Sequence, residues 1–272
     1  MNFMHSLLRS PEACGLNRLS SRANLFPFPD FESAKAFKKT ASPYVIDLNG
    51  TWKFRYLTDP ENLTEQDFQP AAPLDGFEDT EVPDCWVMRG HGVPHYTNVV
   101  MPFPELPPEI PAENPAGIYR RTLEIPETWD DRRKILHFDG ADCCFFAWLN
   151  GKFIGMSKDS RGSTEFDVTE IAKPGMNDLA VLVTKWCDAT YLEDQDQWYL
   201  PGLSRSVYIY STDKHFIADV FARSTLNTDN KTGRLKVEMF AGLTPSGPAT
   251  LPDFNGYVLP PDEVRWHPPS SG

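Results

Sequence analysis

The sequence predicts an all-β chain: a jelly-roll β-sandwich followed by the beginning of a second sandwich. Three observations carry that expectation. Short apolar stretches recur from Tyr44 to Phe240, some alternating with period two and some running unbroken over a few residues. Helical periodicity is nearly absent. An Asn150-Gly151 pair separates two apolar runs, which marks a tight hairpin because both central residues of that turn need positive φ.

Taken in order, residues 1–40 read as a polar arm with little periodicity, and the prolines of Phe26-Pro-Phe-Pro-Asp30 disfavour regular structure there. Such an arm must lie against something else to be ordered. Residues 45–56 read as two extended pieces around Asn49-Gly50. Trp52, Phe54 and Tyr56 alternate with polar residues, as in a half-buried strand. Residues 57–80 are polar and loop-like. Residues 83–117 hold eight of the chain's 25 prolines, too many for a helix or a central strand. They are expected to form a long ordered loop, a feature often tied to function. Strands follow over 117–125, 134–138, 144–149, 152–156, 163–168, 178–186 and 206–210. Pairs of strands separated by long loops favour the jelly roll. The pattern thus divides into an arm (1–40), a sandwich (41–213) and a second unit (214–272). The second unit offers strands at 216–223 and 233–240, then a Pro-, Gly- and Ser-rich tail from 244 without strand pattern. Two strands do not make a stable domain, so this unit is expected to be incomplete.

The net charge of −12 argues against nucleic acid and anionic membrane as partners. A neutral, hydroxyl-rich ligand is compatible with it. The five cysteines are odd in number and lack C-x-x-C spacing, so reduced thiols are expected rather than a zinc site or a disulfide framework. Cys143 and Cys144, being adjacent, are expected on opposite faces of a strand. Residues 1–10 carry no apolar run of signal-peptide length, and a cytoplasmic location is expected.

Two constellations bear chemistry. In the run 191–199, Glu193, Asp194 and Asp196 stand beside Tyr191, Trp198 and Tyr199. Carboxylates accept hydrogen bonds from sugar hydroxyls, and aromatic faces pack on the apolar side of a pyranose. Asp196 could also bind a hard cation through oxygen. A solvated acidic loop is the alternative. The proline-bounded run 83–98 gathers Trp86, His91, His95, Tyr96 and Asn98. His91 and His95 would form a metal pair only on a helix, which Gly90, Gly92 and Pro94 forbid. Asn98 offers a donor and an acceptor to a hydroxyl, or a bond to its own backbone as a turn residue. Hydrolysis by a carboxylate pair needs a defined separation, which this spacing does not establish.

The same residues resemble the N-terminal region of bacterial β-galactosidases of glycoside hydrolase family 2, the LacZ type. The matching segments are Leu16-Asn-Arg-Leu19, Leu48-Asn-Gly-Thr-Trp-Lys-Phe54, His95-Tyr-Thr-Asn98, Glu113-Asn-Pro-Ala-Gly117, Phe138-Asp-Gly140 and Trp148-Leu-Asn-Gly151. They continue through Asp159-Ser-Arg161, Glu165-Phe-Asp167, Tyr191-Leu-Glu-Asp-Gln-Asp196, Trp198 and Gly202. Their order and spacing hold from about residue 11 to about 240. The resemblance implies a galactose-binding-like jelly roll, an immunoglobulin-like sandwich and then a catalytic barrel that this sequence does not reach. It implies the sugar-binding part of a retaining enzyme acting on terminal β-D-galactosides such as lactose, with the chain alone inactive. A free-standing galactoside-binding or complementing module that needs a separate catalytic chain is the alternative. By the resemblance, Asn98 and Asp196 bind galactose, and Asp196 shares a sodium ion with the absent barrel. Asp188 matches a ligand of a magnesium site between arm and jelly roll, but Lys158 stands where the family has a glutamine ligand. Partners implied are the β-galactoside, the rest of the polypeptide and further copies of it, the arm helping to build a subunit interface.

Overall fold

The computed structural model describes residues 2–60, 62–98, 100–193, 195–228 and 232–243, together with the backbone of 264–266. The chain divides into two compact units. The first holds Met1–Leu19 and Ile46–Tyr210, and the second Ser20–Val45 and Ser211–Gly272.

The larger unit is a β-sandwich, as the pattern predicts. One sheet has seven strands. They are β1 (Gly15–Leu16), β3 (Gly50–Leu57), β4 (Glu78–Val82), β6 (Ala116–Ile125), β8 (Cys144–Leu149), β9 (Lys152–Ser157) and β11 (Gly175–Thr184). Their spatial order is β1-β9-β8-β11-β6-β3-β4. The facing sheet has the order β10-β7-β13-β2, from Thr164–Asp167, Arg133–Phe138, Val207–Thr212 and Val45–Asp47. The two extended pieces around Asn49-Gly50 are thus β2 and β3, which lie in different sheets, with Gly50 at φ 105°. Asn150 and Gly151 do form the hairpin turn between β8 and β9, at φ 54° and 76°, with Leu149 opposite Lys152.

Strands β8 and β11 read as unbroken apolar runs because both faces of their sheet are covered. Phe145, Ala147, Leu149, Leu179, Val181 and Val183 point inward, onto Leu136, Phe138, Phe166, Val207 and Ile209 of the second sheet. The Phe138 and Phe145 rings lie 4.6 Å apart. The intervening residues Phe146, Trp148, Ala180 and Leu182 face a second cluster. That cluster is roofed by Phe68, stacked on Trp148 at 3.7 Å, and by Met4, Leu7, Leu8 and Ala13 of the N-terminal segment. So the first residues of the arm are ordered by lying on the sheet. They include a six-residue helix, α1 (Asn2–Leu7), that no periodicity announced.

Three further expectations are corrected. Strand β4 begins inside the stretch read as loop, where it pairs with β3 and borrows its order from that neighbour. The proline-rich segment is a long loop as expected, but it contains a three-residue strand, β5 (His95–Thr97). Cys143 and Cys144 do not take opposite faces. Cys143 precedes β8, and both thiols belong to the outer cluster, with Cys143 Sγ 3.0 Å from Cys187 Sγ. All five cysteines are free thiols.

The smaller unit contains a five-residue helix, α2 (Phe31–Lys35), capped by Asp30, and a hairpin of β14 (His215–Leu226) and β15 (Gly233–Leu243). Arg22 and the backbone of Ala23 bond to Ala218 and Asp219 of β14. The backbone of β16 (Val264–Trp266), in the stretch read as patternless, pairs with β15. No helix of the described residues is long and apolar enough to cross a membrane.

Candidate functional site

A small ribbon positions the site. Strand β5 pairs antiparallel with β12 (Gln197–Tyr199), so that Thr97 faces Gln197, Tyr96 faces Trp198 and His95 faces Tyr199. One step further along the same register come Asn98 and Asp196. The two residues singled out from distant segments thus lie at the same end of the ribbon. Both are exposed. Asp196 adopts φ 56°, a left-handed conformation that aspartate tolerates better than most residues. The Tyr96 hydroxyl donates a hydrogen bond to Asp196 Oδ1, which pushes the phenol's pKa up. Tyr96 and Trp198 remain about half exposed, at 51% and 55%, with ring centroids 5.6 Å apart. Two carboxylate or amide groups beside bare aromatic surface suit a ligand with hydroxyls on one side and C–H groups on the other.

The ribbon is anchored from below. Tyr199 is buried, packs on Trp186 and donates to Thr190 O at 3.0 Å. Asn114 clasps the Trp186 backbone, donating to its O and accepting from its N, both at 2.9 Å. Lys185 Nζ bonds Val93 O at 2.8 Å and His95 Nδ1 at 2.6 Å. Burial brings the Lys185 pKa down to about 8, partly countered by Asp142. Burial and the neighbouring Lys185 also lower that of His95, which leaves a neutral imidazole to accept the bond. His91 lies elsewhere, against Glu78 and stacked on Tyr56. The two histidines do not share a site.

Glu193 holds the acidic loop rather than facing a ligand. Its Oε1 accepts from Ser160 N at 3.1 Å, its Oε2 accepts from Ser160 Oγ, and its carbonyl accepts from Gln197 Nε2 at 2.8 Å. Asp194 lies outside the described residues. Sequence reasoning missed Asp142, which is 9% exposed beside Ser160. Burial, opposed by Arg161 and aided by Glu193, raises its pKa to about 6. Potential ligand atoms of Asp142, Cys143 and Glu193 converge within 4.8 Å. They fit a metal poorly. The Cys143 thiol is pushed well up by its bond with Cys187 and by burial, which opposes the thiolate a metal needs. Both Glu193 oxygens are already engaged.

The two ions implied by resemblance fare differently. Asp196 offers an exposed carboxylate that fits an oxygen-liganded cation as one ligand among several. Asp188 does not fit magnesium. The Lys158 ammonium lies 2.7 Å from its Oδ1, where a dication would meet like charge. The two residues, thirty positions apart and both placed at that site by the resemblance, meet as an ion pair.

Residues 45–213, which contain the whole ribbon, match the sugar binding domain of glycosyl hydrolases family 2. The chain belongs to that family. Among family 2 relatives, the β-galactosidase of Priestia megaterium is 36% identical over 233 residues, covering 84% of this chain and 22% of that protein. The β-galactosidase of Enterobacter cloacae is 37% identical over 236 residues, covering 85% and 22%. This family 2 chain therefore spans about a fifth of the length of these curated relatives. In fold it is similar to a β-glucuronidase of Bacteroides uniformis (TM-score 0.57, 17% identity, 73% of this chain and 22% of that one). It is likewise similar to one from an uncultured Clostridium (0.51, 25%, 73% and 32%).

Proposed function

We propose that this chain is the sugar-binding N-terminal part of a retaining β-galactosidase, acting on terminal β-D-galactosides such as lactose. The observation that carries the reading is the register of β5 and β12. It brings Asn98 and Asp196 to the same end of the ribbon that carries the exposed Tyr96 and Trp198, in a chain over a third identical to β-galactosidases. In this reading the Asn98 amide donates to and accepts from galactosyl hydroxyls, the free lone pairs of Asp196 accept from them, and the aromatic pair covers the ring's apolar side. A sodium ion on Asp196 would add a positive charge toward the sugar's oxygens. Bond cleavage falls to two carboxylates roughly 5 Å apart, one protonating the leaving oxygen and one forming the galactosyl-enzyme, on a barrel beyond these residues. The contribution of the present residues is positioning, which matters to rate because a small misplacement of a bound substrate is costly. A reducing cytoplasm suits the five free thiols. Assembly of several copies through the N-terminal segment completes the proposal.

The test is steady-state hydrolysis of chromogenic β-galactoside and β-glucuronide by the full product of the gene. Galactoside turnover is expected, with kcat/KM reduced about a hundredfold in Asp196→Asn. Preference for the glucuronide would overturn the substrate assignment. Sustained turnover by these 272 residues alone, abolished in Asp196→Asn, would overturn the division of labour.

A further inference from the structure

Lys158 and Asp188 form a buried clasp around the N-terminal segment. Lys158 follows β9, and Asp188 opens the single 3-10 turn Asp188–Tyr191 after β11. Their side chains are 4% and 6% exposed, and the ammonium is 2.7 Å from Asp188 Oδ1. The same ammonium donates to Ser10 O at 2.8 Å. The backbone N–H of Lys158 donates to Cys14 O at 3.1 Å, and that of Asp188 to Leu8 O at 2.8 Å. Three carbonyls of one short stretch, Leu8, Ser10 and Cys14, are thus gathered by two residues. The contact with Asp188 is a close ion pair. Neither carboxylate oxygen receives a hydrogen bond of normal geometry, although both are buried.

A carboxylate and a backbone carbonyl converging on one point form a donor set for a hard cation. Here a side chain supplies that cation. An ammonium brings a positive charge, which pairs with Asp188, and N–H donors, one of which serves Ser10 O. A divalent ion brought to the same oxygens would have to expel it. We infer that the Lys158 ammonium is a built-in cation that ties residues 8–14 to the sandwich in place of a divalent metal, so that docking of the N-terminal segment is independent of metal. The inference does not depend on which sugar the ribbon binds.

Hydrogen exchange of residues 2–16, read by mass spectrometry in excess EDTA and in millimolar magnesium, tests it directly. Equal protection in the two conditions is expected for the wild-type chain. Loss of that protection in EDTA would overturn the inference, as would calorimetric binding of magnesium to the wild type that Asp188→Asn abolishes. In Lys158→Met the same amides are expected to exchange at least about tenfold faster, and the melting temperature to fall by about 10 °C, because a buried carboxylate loses its partner. Unchanged protection in that variant would likewise overturn it. If Lys158→Met does not fold, the wild-type comparison decides alone.

Discussion

The seven-stranded sheet and the β14–β15 hairpin carry equally clear strand patterns, yet they meet opposite fates. In the sheet, Phe145, Val181 and Val183 are at most 1% exposed, between a second sheet on one side and the N-terminal segment on the other. On the hairpin, Val237, Met239, Leu235 and Leu226 are 47%, 41%, 66% and 67% exposed. The register puts Val237 opposite Ala222 and Met239 opposite Val220, so the apolar residues share one face of a sound ladder. Alternation specifies a strand and chooses its inner face. It does not supply the second layer that turns that face into a core.

That contrast makes stability predictions that differ by region. The largest effect is expected at the centre of the sandwich. Phe138→Ala removes a fully buried ring packed against Phe145 and Phe166, and should cost about 3–5 kcal/mol in urea unfolding. A cost near that of a surface substitution would mean that the two sheets are not the cooperative core.

A smaller, pH-dependent effect is expected at His137, on β7 of the second sheet. Its ring is 0% exposed, with Nδ1 2.9 Å from Glu165 and Nε2 2.8 Å from Asp139, and it stacks on Tyr208. Burial opposes its charge, but bonds to Asp139 and Glu165 outweigh burial and raise its pKa above the usual 6.5. A raised folded-state pKa means the stabilisation is complete below about 6.5 and is lost as pH climbs through the higher folded value. The wild-type melting temperature should decline across that window. In His137→Gln that part of the slope should vanish, and an unchanged slope would show that the imidazole stays neutral.

The smallest effect is expected on the hairpin. Val237→Thr should change unfolding free energy by no more than about 0.5 kcal/mol, because the methyl groups are half exposed already. A loss of several kcal/mol, measured in the full gene product, would show that a second layer covers that face there.

The legible parts of the molecule are those whose physics is local. Hairpin β8–β9 was plain because Asn150 and Gly151 supply the positive φ their turn requires, whatever surrounds them. The runs that became β6, β7, β11, β13, β14 and β15 were plain because alternation or unbroken apolarity persists beyond four residues. Strands β5 and β12, three residues each, carried no such signal. They exist because Tyr199 and Trp186 anchor one side and Lys185 and His95 fix the other. The site shares that origin. Asn98 and Asp196 were candidates from their residue types and from resemblance, but their place at one end of the ribbon follows from a register between segments about a hundred residues apart.

By itself, then, the sequence determined an all-β chain, most of its strands, its tight turn and the residue types of the candidate site. Those features depend on backbone conformational preference and on the period of apolar residues, both written in neighbouring positions. Tertiary structure alone decided that Glu193 holds a loop instead of facing a ligand and that His137 lies between two carboxylates. Charge pairing and side-chain hydrogen bonding act over a few ångströms in space, and the partners here are separated by 28 to 33 residues except for the neighbouring Asp139. No local pattern can encode which of several acidic residues a given cation will meet once the sheets have closed.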